Sequence, residues 1–564
     1  MNKDVLLKYA QFARNELETQ IGLSLKKLGI TENGILDIKK LGDVYVIDGS
    51  HNSITVQEFK ARESIINNYI NNSSFQNVVE EFSYTWFNRI IAIRFMEVHE
   101  YFPHGFRVLT SRDGSYEPEI LQNVDYIIND LGLSEDTVNN YKSNSKLEEL
   151  YKYILVNQCK KLSCVIPMLF NDDGKYLEYL LPSNLLSQDS IIRKITDIPE
   201  EDFLNDVEVV GWLYQDYVSA NREFYRKAKK VTKELIPTLS QVFTPDWIVR
   251  YMAENSVGRI WIESYPNSSL KSKMKYYIDD AKQEKEVQEK INEIKYKNVN
   301  PKDIKIIEPC CGSGHILVYV FDLLFEMYLE LGYEKKSIPS LILEYNLFGL
   351  DVDKRAAQLA EFSLLMKARS IDNKFFNEDR FKRPNVYEIL DSQSVINYKD
   401  NIKGLNFSTK FLDIADYLVN TFKDGKIIGS LLKIKNLNYE DFINEFETVK
   451  NNSSLLPAER LILDNLNILI KLAKIADILS KKYDVMITNP PYLGISKIDK
   501  NAKEYLIKNY PNSKSDMFAM FMEAGLVSQN GFRAIINPDS WMFLASYYEL
   551  RSKILSKESI ITLA

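Results

Sequence analysis

Asn489-Pro490-Pro491-Tyr492 puts an amide, two rigid backbone positions and an aromatic ring in four consecutive residues. The run before it, "YDVMIT" (483–488), is rich in apolar and β-branched residues and predicts a buried strand. The prolines hold φ at about −65° and remove two backbone donors, so the strand has to end there. At such an end, the Asn489 amide oxygen and the Pro490 carbonyl can accept both hydrogens of a planar amino group. Two preorganised acceptors would stabilise positive charge developing on such a nitrogen. Pro490 and Pro491 keep the acceptors rigid, and Tyr492 can stack on the ring that carries the amino group. In open α/β sheets, ligands bind beyond the carboxyl ends of the strands.

A second constellation lies upstream. "IKIIEPCCGSGHIL" places Gly312 and Gly314 in a turn between a strand and a helix. No Gly-Lys-Ser/Thr follows, so the turn is not built to grip phosphates. Glu308 and Pro309 lead into it. A carboxylate there repels a pyrophosphate but suits the ammonium and sulfonium of S-adenosylmethionine. The next strand ends "FGLDVDKRAAQLA", where Asp351 is placed to accept hydrogen bonds from ribose hydroxyls. Asp353 is the second candidate for that role and also suits the cap of the following helix.

These residues need a sheet to hold them. The strand–turn–helix pattern occurs twice after residue 301, which predicts a parallel, doubly wound, Rossmann-like α/β domain over 236–564. Helical inserts are expected near 262–300, where the chain is densely charged, and near 371–480. Residues 1–235 are expected to form a mainly helical N-terminal domain. Within it, 78–102 predicts a core helix. Its Arg89 and Arg94 are expected to be solvated or paired, with contact to DNA phosphate as the other role. A chain of 564 residues is too long for one core, so several domains are expected. The net charge of −7 gives no global basic field, so a nucleic-acid partner must be held by local patches. Cys159, Cys164, Cys310, Cys311 and four histidines lack metal-ligand spacing, so no metal is expected. The cysteine pattern suits a reducing cytoplasm. The N-terminus has no signal-peptide core, and no apolar run reaches membrane-spanning length, so no membrane partner is expected.

The order "FTPDWIVRYM", "EPCCGSG", "GLDVD", "NPPY" resembles the gamma-type amino-methyltransferases that modify adenine N6 in DNA. The N-terminal stretches "SITVQEFKARE" and "YTWFNRIIAIRFMEVHEYFP" are similar to the PglX family of BREX phage-defence systems. The resemblance implies a class I methyltransferase domain with S-adenosylmethionine as donor. It implies double-stranded DNA with a flipped adenine as partner, a self mark on host DNA as product, and other BREX proteins as further partners. It also implies roles for residues. Thr244 and Pro245 would contact the donor, as would Asp516 and Phe518 at the start of a later helix. Tyr547, or failing that Phe543, would form the other wall of the base pocket. Ser430 and Leu431 of a Gly-Ser-Leu segment would hold the donor's adenine, with Asp413 as the alternative. Asn489 favours adenine over cytosine N4, for which serine is usual at that position.

The long spacing between the glycine turn and Asn489 departs from the family. Family members are about twice this length, so a target-recognition domain is expected to be absent or carried by a separate recognition chain. Two other readings stand beside adenine methylation. One is a DNA-binding defence scaffold that binds the donor without turnover. The other is an RNA or protein amino-methyltransferase, against which the large N-terminal domain argues.

Overall fold

Apolar residues at spacings of three and four dominate the first 220 residues, and the computed structural model folds them accordingly. It describes residues 2–49, 53–68, 74–171, 176–205, 207–219, 235–236 and 244–564. The chain divides into two compact units, Met1–Ala220 and Asn221–Ala564. The boundary expected near 235 is flanked on both sides by residues outside the described set.

In the first unit, helix α1 (Lys3–Lys27) buries Leu6, Ala10, Ala13, Leu17, Ile21 and Leu25 along one stripe. Helix α2 (Phe75–Val98) starts at Ser74, whose side chain accepts the Asn77 amide, and is buried on nearly every face from Phe82 onward. Arg89 and Arg94 are therefore buried rather than solvated. Arg89 donates to the Leu169 and Asn171 carbonyls at 3.1 and 3.0 Å. Arg94 pairs with Glu97 at 2.8 Å and Glu200 at 3.1 Å. A buried guanidinium needs partners for its charge, and these two find them inside the fold rather than on a phosphate. The unit also holds an antiparallel sheet of Ile38–Leu41, Val44–Ile47 and Ser53–Thr55, which the sequence reading had not resolved.

The second unit is built on five parallel strands: β1 (Ile306–Glu308), β2 (Leu347–Asp351), β3 (Asn385–Glu388), β4 (Tyr483–Thr488) and β5 (Val527–Ile535). Their order across the sheet is β5-β4-β1-β2-β3. The chain runs outward from β1 to β3, then returns to the other side of β1 as β4. The order thus reverses between β1 and β4, which sets the switch-point crevice at their carboxyl ends. Neighbouring residues face opposite sides of a strand. The face carrying Gly349 meets helix α3 (His315–Glu330) through Leu317. The face carrying Ile307, Leu350 and Met486 packs on the helices of 409–480. The sheet is covered on both sides, as a parallel sheet must be.

The stretch 371–480 is not simply an insert. It contains strand β3 and supplies the helices Thr409–Thr421, Tyr439–Lys450 and Asn467–Ser480, which form one continuous apolar core with the sheet. Phe411 and Phe442 stack at 4.3 Å within it. The region 262–300 is broken rather than one helix, and its longest piece, Lys285–Ile294, buries no residue. No helix among the described residues is long and apolar enough to cross a membrane.

Candidate active site

The glycine turn leaves the tip of β1 and enters α3. Gly312 and Gly314 take φ of 51° and 85°, the left-handed region that glycine adopts without strain. At Gly314 a Cβ would lie 2.9 Å from the backbone of Ala360, so helix α4 (Lys354–Ile371) packs directly against the turn. At Gly312 a Cβ would meet nothing within 4 Å, so that side of the turn is open to a close approach.

Two carboxyl groups flank the turn. Asp351, at the tip of β2, accepts the Gly312 and Asp353 amides at 2.8 Å each. It ties the turn to the second strand, and burial pushes its pKa up to about 7. Asp353 accepts the Arg355 amide at 3.0 Å and so caps α4. Glu308 is 2% exposed, and one of its carboxylate oxygens has no hydrogen-bond partner. Burial first, and the nearby Asp351 second, push its pKa well above the usual carboxylate range. An orphaned acceptor in such a place favours a cationic ligand group. Both thiols in the turn, Cys310 and Cys311, are held protonated by burial. The four cysteines of the chain form no disulfide.

The Gly-Ser-Leu segment reaches the same place. Ser430 and Leu431 are buried, and the Ser430 hydroxyl donates to the Pro309 carbonyl at 2.6 Å. Asp413, the alternative, sits in the helix Thr409–Thr421.

Across the switch point, β4 delivers Asn489 to Tyr492. The Asn489 amide nitrogen donates to the Thr244 hydroxyl oxygen at 3.1 Å. The Tyr492 hydroxyl donates to the Asn489 amide oxygen at 2.7 Å and approaches the Ile536 carbonyl, just past β5, at 3.3 Å. A segment almost 250 residues upstream thus meets the Asn489 amide, and the Tyr492 hydroxyl links that amide to the end of β5. Thr244 does not cap the helix that follows: helix Asp246–Glu254 takes exposed Pro245 as its N-cap, with no side-chain bond. Asp516 caps helix α5 (Met517–Glu523) by accepting the Phe518 amide at 3.2 Å, and also accepts the Leu493 amide at 3.0 Å. It fixes the loop after Tyr492, and burial raises its pKa to about 6. Neither the Thr244–Asn489 contact nor the Asp516–Leu493 contact carried a signal in the sequence: the first joins segments 245 residues apart, and the second closes the loop between β4 and β5 on itself.

The aromatic candidates separate. Tyr492 is half-buried and meets Phe518 edge-on at 6.2 Å between ring centroids. Phe518 in turn meets Tyr547 at 5.8 Å. Tyr547 is buried in a small core with Phe518, Leu550 and Ile554, while Phe543 is 74% exposed.

A parallel sheet with a glycine turn and an Asn-Pro-Pro-Tyr tip across its switch point is an α/β methyltransferase fold. In agreement, residues 345–564 match the Eco57I restriction-modification methylase family. Within that class, the resemblance to the PglX family holds along the whole chain. It is 36% identical to the adenine-specific methyltransferase BrxX of Escherichia coli O9:H4 (strain HS), covering 100% of this chain and 48% of that protein. It is 33% identical to the adenine-specific methyltransferase PglX of Lacticaseibacillus casei (strain Zhang), covering 99% of this chain and 48% of that protein. A further relative, the putative type II restriction enzyme and methyltransferase RM.MjaORFECS2P of Methanocaldococcus jannaschii, is 22% identical over 66% of this chain and 37% of its own length. The chain spans about half the length of the curated relatives it matches.

Proposed function

We propose that this chain binds S-adenosylmethionine and methylates N6 of an adenine flipped out of double-stranded DNA, marking host DNA in a BREX-type defence system. The observation that supports the reading is the Asn489–Thr244 contact at the carboxyl end of β4, the strand that pairs with β1 and lies next to the start of the glycine turn. The donor fits the residues present. Glu308 offers an unpartnered buried carboxylate oxygen to its cationic end, Gly312 leaves room for close approach, and Ser430 and Leu431 border the turn where its adenine would lie. The Asp351 carboxylate is engaged with the turn, so its part is to shape the ribose site as well as to contact it.

When bound, the donor supplies an electrophilic methyl group. The chain's own residues do the rest. The adenine amino group is a weak nucleophile because its lone pair is delocalised into the ring. The Asn489 oxygen and the Pro490 carbonyl take its two hydrogens and draw the nitrogen towards tetrahedral geometry, which frees the lone pair. The Tyr492 hydroxyl now occupies that oxygen, so the incoming amino group displaces it and the ring moves to stack on the base. The two prolines hold the acceptors still, which favours attack in line.

The test is modified-base sequencing of DNA from cells with and without the complete gene. N6-methyladenine at a defined motif, present only with the gene, is the expected outcome. Identical methylation in both strains would remove the proposal.

A further inference from the structure

We infer that Thr244 is a positioning residue for the transfer step: its hydroxyl oxygen sets which way the Asn489 amide faces. The inference rests on the reaction proposed above. A primary amide is nearly symmetric in shape but opposite at its two ends, one accepting and the other donating. The adenine amino group offers it only donors. An amide turned the wrong way sets its own NH2 against that group and removes one of the two acceptors. The terminal torsion of asparagine is broad and roughly two-fold, so the residue does not fix its own orientation.

The structure supplies the constraint from far upstream. The Asn489 nitrogen donates to Thr244 Oγ1 at 3.1 Å, which turns the amide oxygen towards Tyr492. Thr244 is 6% exposed, so water competes poorly for the contact. Its hydroxyl is not used to cap the following helix. The Tyr492 hydroxyl, on the other side, uses one lone pair of the oxygen that the target also needs. The Thr244 contact does not compete with the target and persists through the step.

The test compares Thr244→Val and Thr244→Ser in the complete protein as the cell makes it. Single-turnover transfer to duplex DNA is measured at saturating donor, and donor affinity is measured by calorimetry. Thr244→Val should slow transfer by roughly 10- to 100-fold, the scale of losing one oriented polar contact to a reacting centre. Donor affinity should change less than about threefold, and Thr244→Ser, which keeps the oxygen, should recover the rate to within about threefold. Should Thr244→Val fold poorly, Thr244→Ala must show the same split. A wild-type rate in a hydroxyl-free variant overturns the inference. So does a loss confined to donor affinity, which would make Thr244 a donor contact alone. If the wild type leaves DNA unmethylated, the proposed reaction falls first and this inference falls with it. That result needs no variant and is therefore distinct from the others.

Discussion

At the scale of single residues, the site turns on where an amide and two carboxyl groups find partners. Asn489→Ala removes one of the two proposed acceptors and nothing else near the glycine turn. Methyl transfer should fall at least 100-fold in a single-turnover assay, with donor affinity by calorimetry close to wild type. Tyr492→Phe keeps the ring and removes the hydroxyl's hydrogen bond to the Asn489 oxygen. The lost hydrogen bond is worth about 1 kcal/mol, so the rate should stay within about fivefold of wild type. Tyr492→Ala also removes stacking worth about 1–3 kcal/mol, and should fall at least tenfold. The raised carboxyls predict a pH dependence. Asp351 titrates at about 7 and Glu308 well above its usual range, both chiefly through burial. Protonation is favoured in the folded chain, so the Asp351 contribution to stability is full below its unfolded value and is lost as pH rises through about 7, and the Glu308 contribution is lost in the same direction. A cationic donor reverses the preference, because it favours the ionised carboxylate and expels the proton. Donor affinity should therefore rise with pH as the buried carboxyl ionises. Calorimetry in buffers of different ionisation enthalpy reads the released proton, and a flat profile would remove the coupling.

At the scale of elements, the glycine turn depends on a helix seated against it. Gly314→Ala forces a side chain into the left-handed region and against the Ala360 backbone at 2.9 Å. The strain should cost about 1–3 kcal/mol, visible as a lower Tm, and donor binding should weaken as the turn shifts. Strands β1, β2 and β4 were legible in the sequence because each is a short apolar run ended by glycine, aspartate or proline. Strand β3 was not set apart from its surroundings. Asn385–Glu388 has only four residues, of which only Val386 is buried, and is followed by almost a hundred residues of helix and loop before β4. Those helices read as an insert because their apolar faces look like any amphipathic helix. Only packing shows that they share a core with Ile307, Leu350 and Met486.

At the scale of the whole molecule, the first unit has its own buried polar network. Arg94 pairs with Glu97, whose carboxylate also accepts the Val108 and Leu109 amides at 2.8 and 2.7 Å. Arg94→Ala leaves Glu97, fully buried in α2, without its cation, a loss of about 3–5 kcal/mol. Chemical denaturation should show the unfolding midpoint moving sharply down. The sequence leaves a phosphate contact open to Arg94, and its burial cannot be read from one helix. Apolar neighbours on all faces signal a buried helix, but which partner satisfies a charge is settled by other segments. The same division runs through the molecule. The sequence by itself determined the motif residues, the alternation of strand and helix that makes a parallel sheet, and the chemistry that an amide between a strand and two prolines can perform. These are local properties, carried by side-chain type, backbone restriction and spacing. The tertiary structure alone decided that Thr244 meets Asn489, that Asp351 holds the glycine turn, and that Tyr492 rests on the amide oxygen. The first two contacts join distant segments, Thr244 to the tip of β4 and Asp351 of β2 to the turn after β1, and strand order follows from the burial of the whole sheet rather than from any stretch of it.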